Sequence, residues 1–285
     1  MRRPDPRNVL HRIMNSSGFG RSRMLLAAPR LAVSGDPTRR TLGRILAATA
    51  LDRLSPAERA WIERVEARRR VLAEDGAEVR AEFAAGPDSA SGLRTRSEER
   101  ILLRLGVAFM SITDLWGRFL LKLVHELGPA SALELGTAFG ISTAFQAAGL
   151  ELGHRGRMVT LDAAADWGEV AQQGLDELGL AGRVERRLGW IHETLGDAVA
   201  DAAPVDYVFV DAEHQAEPTI RYFELMLPRL APGAVVVFDD ISFNREMRRC
   251  WGTIRRHPAV LVALDLGRMG VVAVDGGQAP GRRIT

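Results

Sequence analysis

Two groups of acidic side chains follow apolar runs in the second half of the chain. The run "YVFV" ends in Asp211, with Glu213 and His214 just beyond it, and the run "AVVVF" ends in Asp239 and Asp240. If both runs are parallel strands, their carboxyl ends meet at one edge of a sheet, where these carboxylates can converge. Three carboxylates with room for water suit Mg²⁺ or a similar hard cation. The spacing therefore predicts a metal site made by Asp211, Asp239 and Asp240.

The same residues have a simpler interpretation. Asp239 and Asp240 can cap a following turn, and His214 can begin a surface helix. Glu213 could also supply a ligand or a base, although as the neighbour of His214 on an extended chain it should point away from it. The residues alone leave these alternatives open.

A second candidate site lies earlier, in the stretch "LELGTAFGIST" and the apolar run that follows it. Gly136 and Gly140 permit a tight turn with close ligand approach, and the next helix would aim its N-terminal amides at the ligand. The pattern is not G-x-G-x-x-G, since Ala138 stands where a middle glycine would. Asp162, which ends the next run, can accept both hydroxyls of a ribose or simply cap a helix. Together the glycine turn and Asp162 predict a nucleoside-binding site.

Short apolar strands separated by helical patterns must position both groups. The strands are "SALELG", "RMVTLDA", "VERRLG", "DYVFVDA", "GAVVVFDD", "VLVALDL" and "MGVVAV". This rhythm is typical of a mostly parallel sheet with helices on both faces. Too few residues around Gly267 separate the last two strands for a helical crossover, so we expect them to pair antiparallel. The predicted fold class is α/β, a doubly wound seven-stranded sheet that ends in an antiparallel hairpin.

The first half of the chain lacks this rhythm. Residues 1–40 carry Pro, Gly, Ser and Arg without a sustained period, so we expect a loose basic arm. Residues 41–128 show helical spacing and form a predicted helical extension. The extension could cover the sheet, close over a substrate or make a dimer contact. Residues 129–285 then form the predicted ligand-binding domain.

Particular helices of the extension have clear signals. Ser55 can cap a helix, and Glu58 completes a capping box with it. Residues 86–92 have the composition of a loop, and the chain from residue 97 to residue 129 is expected to be helical in two pieces. Trp116 and Phe119 could line a substrate pocket, but their helical spacing favours core packing.

Composition excludes several classes of protein. With 285 residues, 46% hydrophobic and 26% charged, the chain can build a sizeable core. Cys250 is the single cysteine, which excludes an internal disulfide and fits a reducing, cytoplasmic location. Every apolar run is far shorter than a membrane helix requires. Basic side chains gather in the first 100 residues but are not interleaved with aromatics, so we do not expect nucleic-acid binding.

The order and spacing of four motifs resemble a known family. The motifs "ALELGTAFGIST", Asp162, "DYVFVDAEH" and "LAPGAVVVFDDI" resemble class I S-adenosylmethionine-dependent methyltransferases, in particular bacterial small-molecule O-methyltransferases similar to the catechol type. The resemblance runs from about residue 95 to residue 275. It implies a Rossmann-like sheet and S-adenosylmethionine as the cofactor of residues 129–285.

The resemblance also implies roles for individual residues. The implied cofactor contacts are Glu134, Gly136, Thr137, Gly140, Ser142, Asp162, Gly189, Trp190 and Asp211. Trp190 departs from many relatives and is expected either to stack on adenine or to pack in the core. In catechol-type relatives the three metal positions carry Asp, Asp and Asn, and a lysine base follows the first Asp. Here Asp240 stands at the Asn position, and His214 stands at the base position.

We therefore predict an S-adenosylmethionine-dependent O-methyltransferase, a homodimer that acts on a small hydroxylated metabolite. Mg²⁺ or Mn²⁺ is expected at Asp211, Asp239 and Asp240, with His214 as the base that removes the hydroxyl proton. Two alternatives stay open. One is a metal-independent N- or carboxyl-methyltransferase, and the other is a non-catalytic partner subunit that uses the same fold.

Overall fold

A seven-stranded sheet forms the centre of the molecule. The structure is a computed structural model that describes residues 17–87 and 94–276. Its strands are β1 (Glu78–Pro87), β2 (Arg94–Leu102), β3 (Ser131–Leu135), β4 (Arg157–Asp162), β5 (Val184–Leu188), β6 (Val205–Val210), β7 (Leu230–Phe238), β8 (Val260–Asp265) and β9 (Gly270–Asp275). Its α-helices are α1 (Ser17–Ala32), α2 (Pro37–Ala50), α3 (Pro56–Glu74), α4 (Leu103–Met110), α5 (Asp114–Leu127), α6 (Ile141–Leu152), α7 (Ala165–Leu178), α8 (Ile191–Ala202), α9 (Ala216–Met226) and α10 (Arg245–Ile254).

The strand order of this sheet is β5-β4-β3-β6-β7-β9-β8. Strand β9 runs antiparallel to both β7 and β8, whereas the neighbours from β5 to β7 are parallel. The order reverses beside β3, which pairs with β4 on one side and with β6 on the other. The predicted α/β fold, a Rossmann-like doubly wound sheet with a terminal antiparallel hairpin, is confirmed. A reversal of strand order marks the usual ligand site of such sheets.

Helices cover both faces of the sheet, which explains why its central strands are continuous apolar runs. Along β6, Tyr207 and Phe209 pack in one core with side chains of α1, α2 and α5. Val208 and Val210 face the other way, into a core with side chains of α8, α9 and α10. Trp116 and Phe119 of α5 are fully buried in the first core, as their spacing predicted.

The prediction of a loose arm over residues 1–40 is wrong for the part that the structure describes. Residues 17–32 form α1, and Pro37 begins α2, whose N-terminus is capped by the Asp36 carboxylate. The buried face of α1 contains Gly20, Met24, Ala28 and Leu31. Two of these four residues are Gly and Ala, so the helical repeat of hydrophobic residues that would indicate a buried helix face was weak here. Residues 1–16 lie outside the described residues.

The chain before α4 also differs from the prediction. Residues 94–102, expected to be helical from residue 97, form β2, which pairs antiparallel with β1. Strand β1 continues to Pro87, into the stretch expected to be a loop. Backbone pairing with a neighbouring strand overrides local helix propensity here, which a reading of the segment by itself could not detect. The helices that follow begin at Leu103 and Asp114.

The predicted capping box at the start of α3 is present. The Ser55 hydroxyl accepts a hydrogen bond from the Glu58 N–H, and the Glu58 carboxylate accepts one from the Ser55 N–H. Glu58 is fully buried, and it also binds Lys122 Nζ at 2.9 Å and contacts His125 Nδ1 at 2.8 Å. This residue therefore anchors α3 to α5. None of the described helices has an apolar stretch long enough to cross a lipid bilayer.

Candidate active site

A cavity of about 420 Å³ opens at the carboxyl ends of the central strands, next to the reversal of strand order. This volume lies within the range of small-molecule binding sites. Its lining comes from the ends of β4 and α4, from the turns after β3, β6 and β7, from the starts of α6, α7 and α8, and from the turn between β8 and β9.

The turn after β3 depends on glycine. Gly136 has a φ of +99°, and a Cβ there would collide with the carbonyl oxygen of Asp211. Only glycine tolerates both conditions without strain. Gly136 and Thr137 line the cavity, as expected. Gly140 does not line it, contrary to expectation, because it lies against α7, where a Cβ would come within 2.8 Å of Ala171 Cβ.

Glu134 is not among the residues that line this cavity, and its predicted contact with the cofactor stays a prediction. Its side chain is fully buried, and its carboxylate accepts hydrogen bonds from the hydroxyls of Ser142, Thr143 and Thr160 and from the amide of Gln146. Burial raises the pKa of Glu134 to about 7, although these donors favour the charged form. Ser142 both binds Glu134 and lines the cavity. Glu134 thus ties β3, β4 and α6 together behind the turn.

Asp162 lines the cavity at the end of β4. Its Oδ2 atom accepts the Ala138 N–H at 2.8 Å, and its Oδ1 atom accepts the Ala164 N–H at 2.9 Å. Burial raises the pKa of Asp162, while these N–H groups oppose the rise. A carboxylate has about four lone-pair sites, so two hydrogen bonds leave acceptor capacity for a ligand. Asp162 can therefore be both a structural cap and a ribose contact, the two roles predicted for it, because it binds the N–H groups of two turns and also faces the cavity.

Aromatic side chains form part of the cavity wall. Trp190, expected to meet adenine or pack in the core, lines the cavity at the start of α8. Phe139 and Trp167 line it as well, with ring centroids 4.9 Å apart. The sequence did not identify these two as site residues, because an aromatic side chain in or near a helix shows the same spacing whether it packs in the core or lines a cavity. Gly189, an expected cofactor contact, is not in the lining; its N–H donates to the Asp162 carbonyl.

His214 lies between two carboxylates of the cavity wall. Its Nε2 atom is 3.7 Å from Asp211 Oδ1 and 3.9 Å from Asp240 Oδ2, which is too far for hydrogen bonds. Its ring centroid is 5.6 Å from that of Phe243, which also lines the cavity. The imidazole is therefore held near acidic groups without being hydrogen-bonded to either, so that Nε2 can accept a proton from a ligand.

Strained backbone gathers around this histidine. Glu213, His214 and Asp240 all have positive φ values, as does Ala138 in the opposite turn, and all four line the cavity. Such conformations are costly for residues with a Cβ, and they concentrate at functional sites. Glu213 accepts a hydrogen bond from the Tyr222 hydroxyl at 2.8 Å, so one of its carboxylate oxygens serves the structure of α9.

Asp239 is the predicted metal ligand whose surroundings differ most from the prediction. It is almost fully buried and lies outside the cavity lining. Arg268, in the turn between β8 and β9, donates from Nε to Asp239 Oδ1 at 2.8 Å and from Nη2 to Asp239 Oδ2 at 2.6 Å. The Arg268 Nε atom is also 3.5 Å from Asp240 Oδ1. Burial lowers the pKa of Arg268, but these carboxylates more than compensate and raise it.

These contacts do not fit the predicted Mg²⁺ or Mn²⁺ site. Within residues 17–87 and 94–276, no three His, Cys, Asp or Glu side chains form a group that could hold a metal ion. Both oxygens of Asp239 are hydrogen-bonded to the Arg268 guanidinium, and Oδ1 also accepts the Asp240 N–H, so a cation at this carboxylate would be repelled by the guanidinium unless it displaced it. Breaking a buried ion pair by removing one partner costs about 3–5 kcal/mol. Asp211, Asp239 and Asp240 are thus brought together as predicted, but around an arginine.

The outer part of the cavity comes from the end of α4 and the chain that follows it. Phe109, Met110, Ser111 and Ile112 line it, and Phe109 is 85% exposed. Phe243 lies beyond β7 and is also partly exposed. An exposed apolar rim around a polar interior is typical of a site that receives a small ligand.

Comparison with known proteins agrees with this geometry. Residues 133–241, from β3 to just beyond β7, match a methyltransferase domain family. A catechol O-methyltransferase from Niastella koreensis is 33% identical over 141 residues, which cover 49% of this chain and 62% of the relative. The predicted resemblance to class I S-adenosylmethionine-dependent methyltransferases is thus confirmed, with the methyltransferase domain at residues 133–241. The matches span 53–62% of the length of three curated relatives.

Solved structures resemble the methyltransferase domain too. An O-methyltransferase from Bacillus cereus, in complex with SAH, is 28% identical, with a TM-score of 0.51 over 61% of this chain and 88% of that chain. Cofactor-bound Rv0187 from MTB is 22% identical, with a TM-score of 0.52, and the match covers 85% of this chain and 98% of that chain. The second likeness concerns the fold alone, and it extends well beyond the residues of the family match.

The cavity of the methyltransferase domain is suited to S-adenosylmethionine. The glycine turn brings backbone close to the ligand space, Asp162 keeps acceptor capacity at its edge, and Trp190 offers an aromatic face. These are the group types that a ribose, an adenine and a charged amino-acid end require.

Proposed function

We propose that the chain is an S-adenosylmethionine-dependent O-methyltransferase that acts on a hydroxyl group of a small metabolite, with His214 as the general base. The observation that carries this proposal is the position of His214 in the same cavity as Asp162. His214, which can accept a proton, and Asp162, which can bind the hydroxyls of a ribose, thus face the same cavity. The Niastella relative, named a catechol O-methyltransferase, supports a hydroxyl as the acceptor.

The turn after β3 and the end of β4 would hold the cofactor. We assign the ribose hydroxyls to Asp162, the adenine to Trp190, and the amino-acid end to Gly136, Thr137 and Ser142. Bound S-adenosylmethionine supplies a methyl group on a sulfonium, whose S–C bond breaks as the acceptor oxygen forms the new C–O bond, and the electron pair stays on sulfur. No nucleophile from the protein is needed.

His214 would take the proton of the acceptor hydroxyl at Nε2. The ordinary pKa of imidazole lies near neutrality, which suits a general base. Asp240, at 3.9 Å, would stabilise the imidazolium that forms, whereas burial and the neighbouring carboxylates raise the pKa of Asp211, at 3.7 Å, and so favour its neutral form. Most of the remaining rate enhancement would come from holding the reacting atoms in line.

The acceptor is expected to have an apolar body. Phe243 lies beside the His214 ring, and Phe109 and Met110 extend the apolar wall outward. Such a wall binds an aromatic or aliphatic body by burial, while the hydroxyl turns inward. The proposal does not include the Mg²⁺ or Mn²⁺ expected from the sequence, because Asp239 is paired with Arg268.

Methyl transfer from labelled S-adenosylmethionine to catechol tests the role of His214. We expect His214→Gln to lower kcat by about 10²–10⁴-fold, the usual contribution of a general base. His192→Gln is the matched control, since His192 is equally exposed and lies 3.8 Å from a carboxylate of Glu193 but does not line the cavity. Unchanged turnover in His214→Gln would refute the base, and a methyl group found on nitrogen or on a carboxylate would refute O-methylation.

A further inference from the structure

Arg268 is a permanent positive charge in the cavity wall. The hydrogen bonds of its guanidinium, within the described residues, use Nε and Nη2. The third nitrogen, Nη1, makes none there, yet the residue lines the cavity with 13% of its side chain exposed. An arginine with two nitrogens fixed and one left over can donate to a ligand without losing its anchor.

The position of this arginine is held by its backbone as well. The Arg268 carbonyl accepts the Ile241 N–H at 2.9 Å, and the Gly267 N–H donates to Asp265 Oδ1 at 3.0 Å. The turn between β8 and β9 is therefore tied both to the end of β7 and to itself. A donor fixed in this way needs little reorganisation when a ligand develops negative charge.

Two carboxylates contact the Arg268 guanidinium, and a third lies near enough to influence its pKa, at the place where the sequence predicted a divalent cation. Asp239 holds it from behind, Asp240 lies 3.5 Å from its Nε, and Asp211 faces the same cavity. Arg268 therefore places a positive charge of the chain where the sequence predicted a metal ion. Asp239 and Asp240 of this acidic cluster thus bind the Arg268 side chain.

We propose that Arg268 binds the acceptor oxygen through Nη1 and replaces the divalent cation, so that methyl transfer by this chain is independent of metal. The proposal rests on the O-methyltransferase function argued above. Arg268 stabilises the oxygen as its proton passes to His214, through a charge-assisted hydrogen bond. Asp239 becomes a positioning residue for Arg268.

Binding of Mn²⁺ tests this proposal without any assay of activity. Electron paramagnetic resonance of Mn²⁺ mixed with the full-length protein measures how much of the ion is bound. We expect the wild type and Arg23→Ala to leave Mn²⁺ unbound, and Arg268→Ala to bind it, because Asp239 loses its guanidinium partner and the positive charge beside Asp211 and Asp240 is removed. Arg23 is the matched control, since it pairs with Asp265 on the same hairpin but lies outside the cavity lining. One bound Mn²⁺ per wild-type chain would overturn the proposal.

Methyl transfer to catechol gives the second readout. We expect turnover by the wild type to be the same with a chelator as with added Mg²⁺, and Arg268→Ala to lose about 10²–10³-fold in kcat, the usual cost of one donor to a developing oxyanion. Arg268→Lys keeps the charge without the two-pronged pairing and should retain part of kcat. Turnover that a chelator abolishes in the wild type would overturn the proposal.

The two readouts separate this proposal from the proposed function. If no catechol product forms under any condition, the O-methyltransferase function is in question, and Mn²⁺ binding still decides whether Arg268 occupies the cation position. If Arg268→Ala does not fold, the wild-type and Arg268→Lys measurements still decide between arginine and metal.

Discussion

At the scale of single residues, the end of β6 explains why an apolar run stops abruptly. Val210 is the last side chain in the core, and Asp211 is the first at the cavity. Glu213 and His214 then take positive φ values, which turn the chain back toward the site. The change from apolar to ionisable residues marks the point where the strand leaves the core.

Glu134 allows a prediction about stability and pH. Its pKa is about 7 in the folded chain, against an ordinary value of 4.5, so the folded state binds more protons between these values. The free energy of unfolding is therefore fully maintained below the ordinary pKa and falls as the pH rises through about 7. A shift of this size corresponds to a loss on the order of 3 kcal/mol. Urea unfolding at about pH 5 and about pH 8 should show this loss in the wild type and not in Glu134→Gln.

Glu58 serves as a control for Glu134, because its pKa is shifted in the opposite direction. Burial raises the pKa of Glu58, but hydrogen bonds from the Ser55 N–H, His125 and Lys122 outweigh burial and lower it. The contribution of Glu58 is therefore present above its ordinary pKa of 4.5 and is lost only as the pH falls below that value. Glu58→Gln should lose stability equally at both pH values. If Glu134→Gln followed the wild-type pH dependence, the assignment of the raised pKa to Glu134 would be wrong.

The sequence predicts some site residues well and misses others for physical reasons. Asp162, Asp211 and His214 end strands or follow them closely, so the topology alone brings them to the cavity edge. Arg268 could not be predicted, because nothing in the local sequence of a hairpin turn shows which carboxylate it meets. Glu134 has the residue type of a ligand contact, but its direction within the strand sends it into the core.

At the scale of elements, the connection from β3 to α6 carries the largest constraint. Gly136 needs a positive φ and leaves no space for a Cβ against the Asp211 carbonyl. We expect Gly136→Ala to reduce the free energy of unfolding by about 2–4 kcal/mol and to abolish cofactor binding, because the strand ends must separate. Urea unfolding and titration with S-adenosylhomocysteine measure the two effects.

Gly196→Ala is the matched control for this glycine. Gly196 lies inside α8, and a Cβ there would meet nothing within 4 Å. Alanine is the better helix former, so this change should stabilise the protein by about 0.5–1 kcal/mol and leave binding intact. Equal effects of the two substitutions would contradict the account of the turn.

The predictability of the elements follows from the strength of their local signals. All seven strands of the large sheet were predicted, and the central parallel ones had the strongest signal, because buried parallel strands are short apolar runs bounded by turns, whereas the edge strand β5 is polar and only partly buried. The pairing of β1 with β2 was not, because it depends on backbone hydrogen bonds between two polar segments. The buried stripe of α1 was missed because Gly and Ala supply half of it.

At the scale of the whole molecule, the helices before the sheet are part of its core. Met24 of α1, Leu42 and Ile45 of α2 and Trp116 of α5 pack with side chains of β6 and β7. The end of α4 adds the outer wall of the cavity. Helical spacing indicated most of these helices, but which face of the sheet they cover is a long-range contact that the sequence leaves open.

Calorimetric titration with S-adenosylhomocysteine tests the central claim most directly. We expect the full-length chain to bind one equivalent in a chelator, and Asp162→Ala to lose binding. Asp206→Ala is the matched control, because Asp206 also accepts two backbone N–H groups but lies outside the cavity lining. Binding by the control and not by Asp162→Ala would place the cofactor in this cavity. Absence of binding by the wild type, or equal binding by Asp162→Ala, would contradict the account.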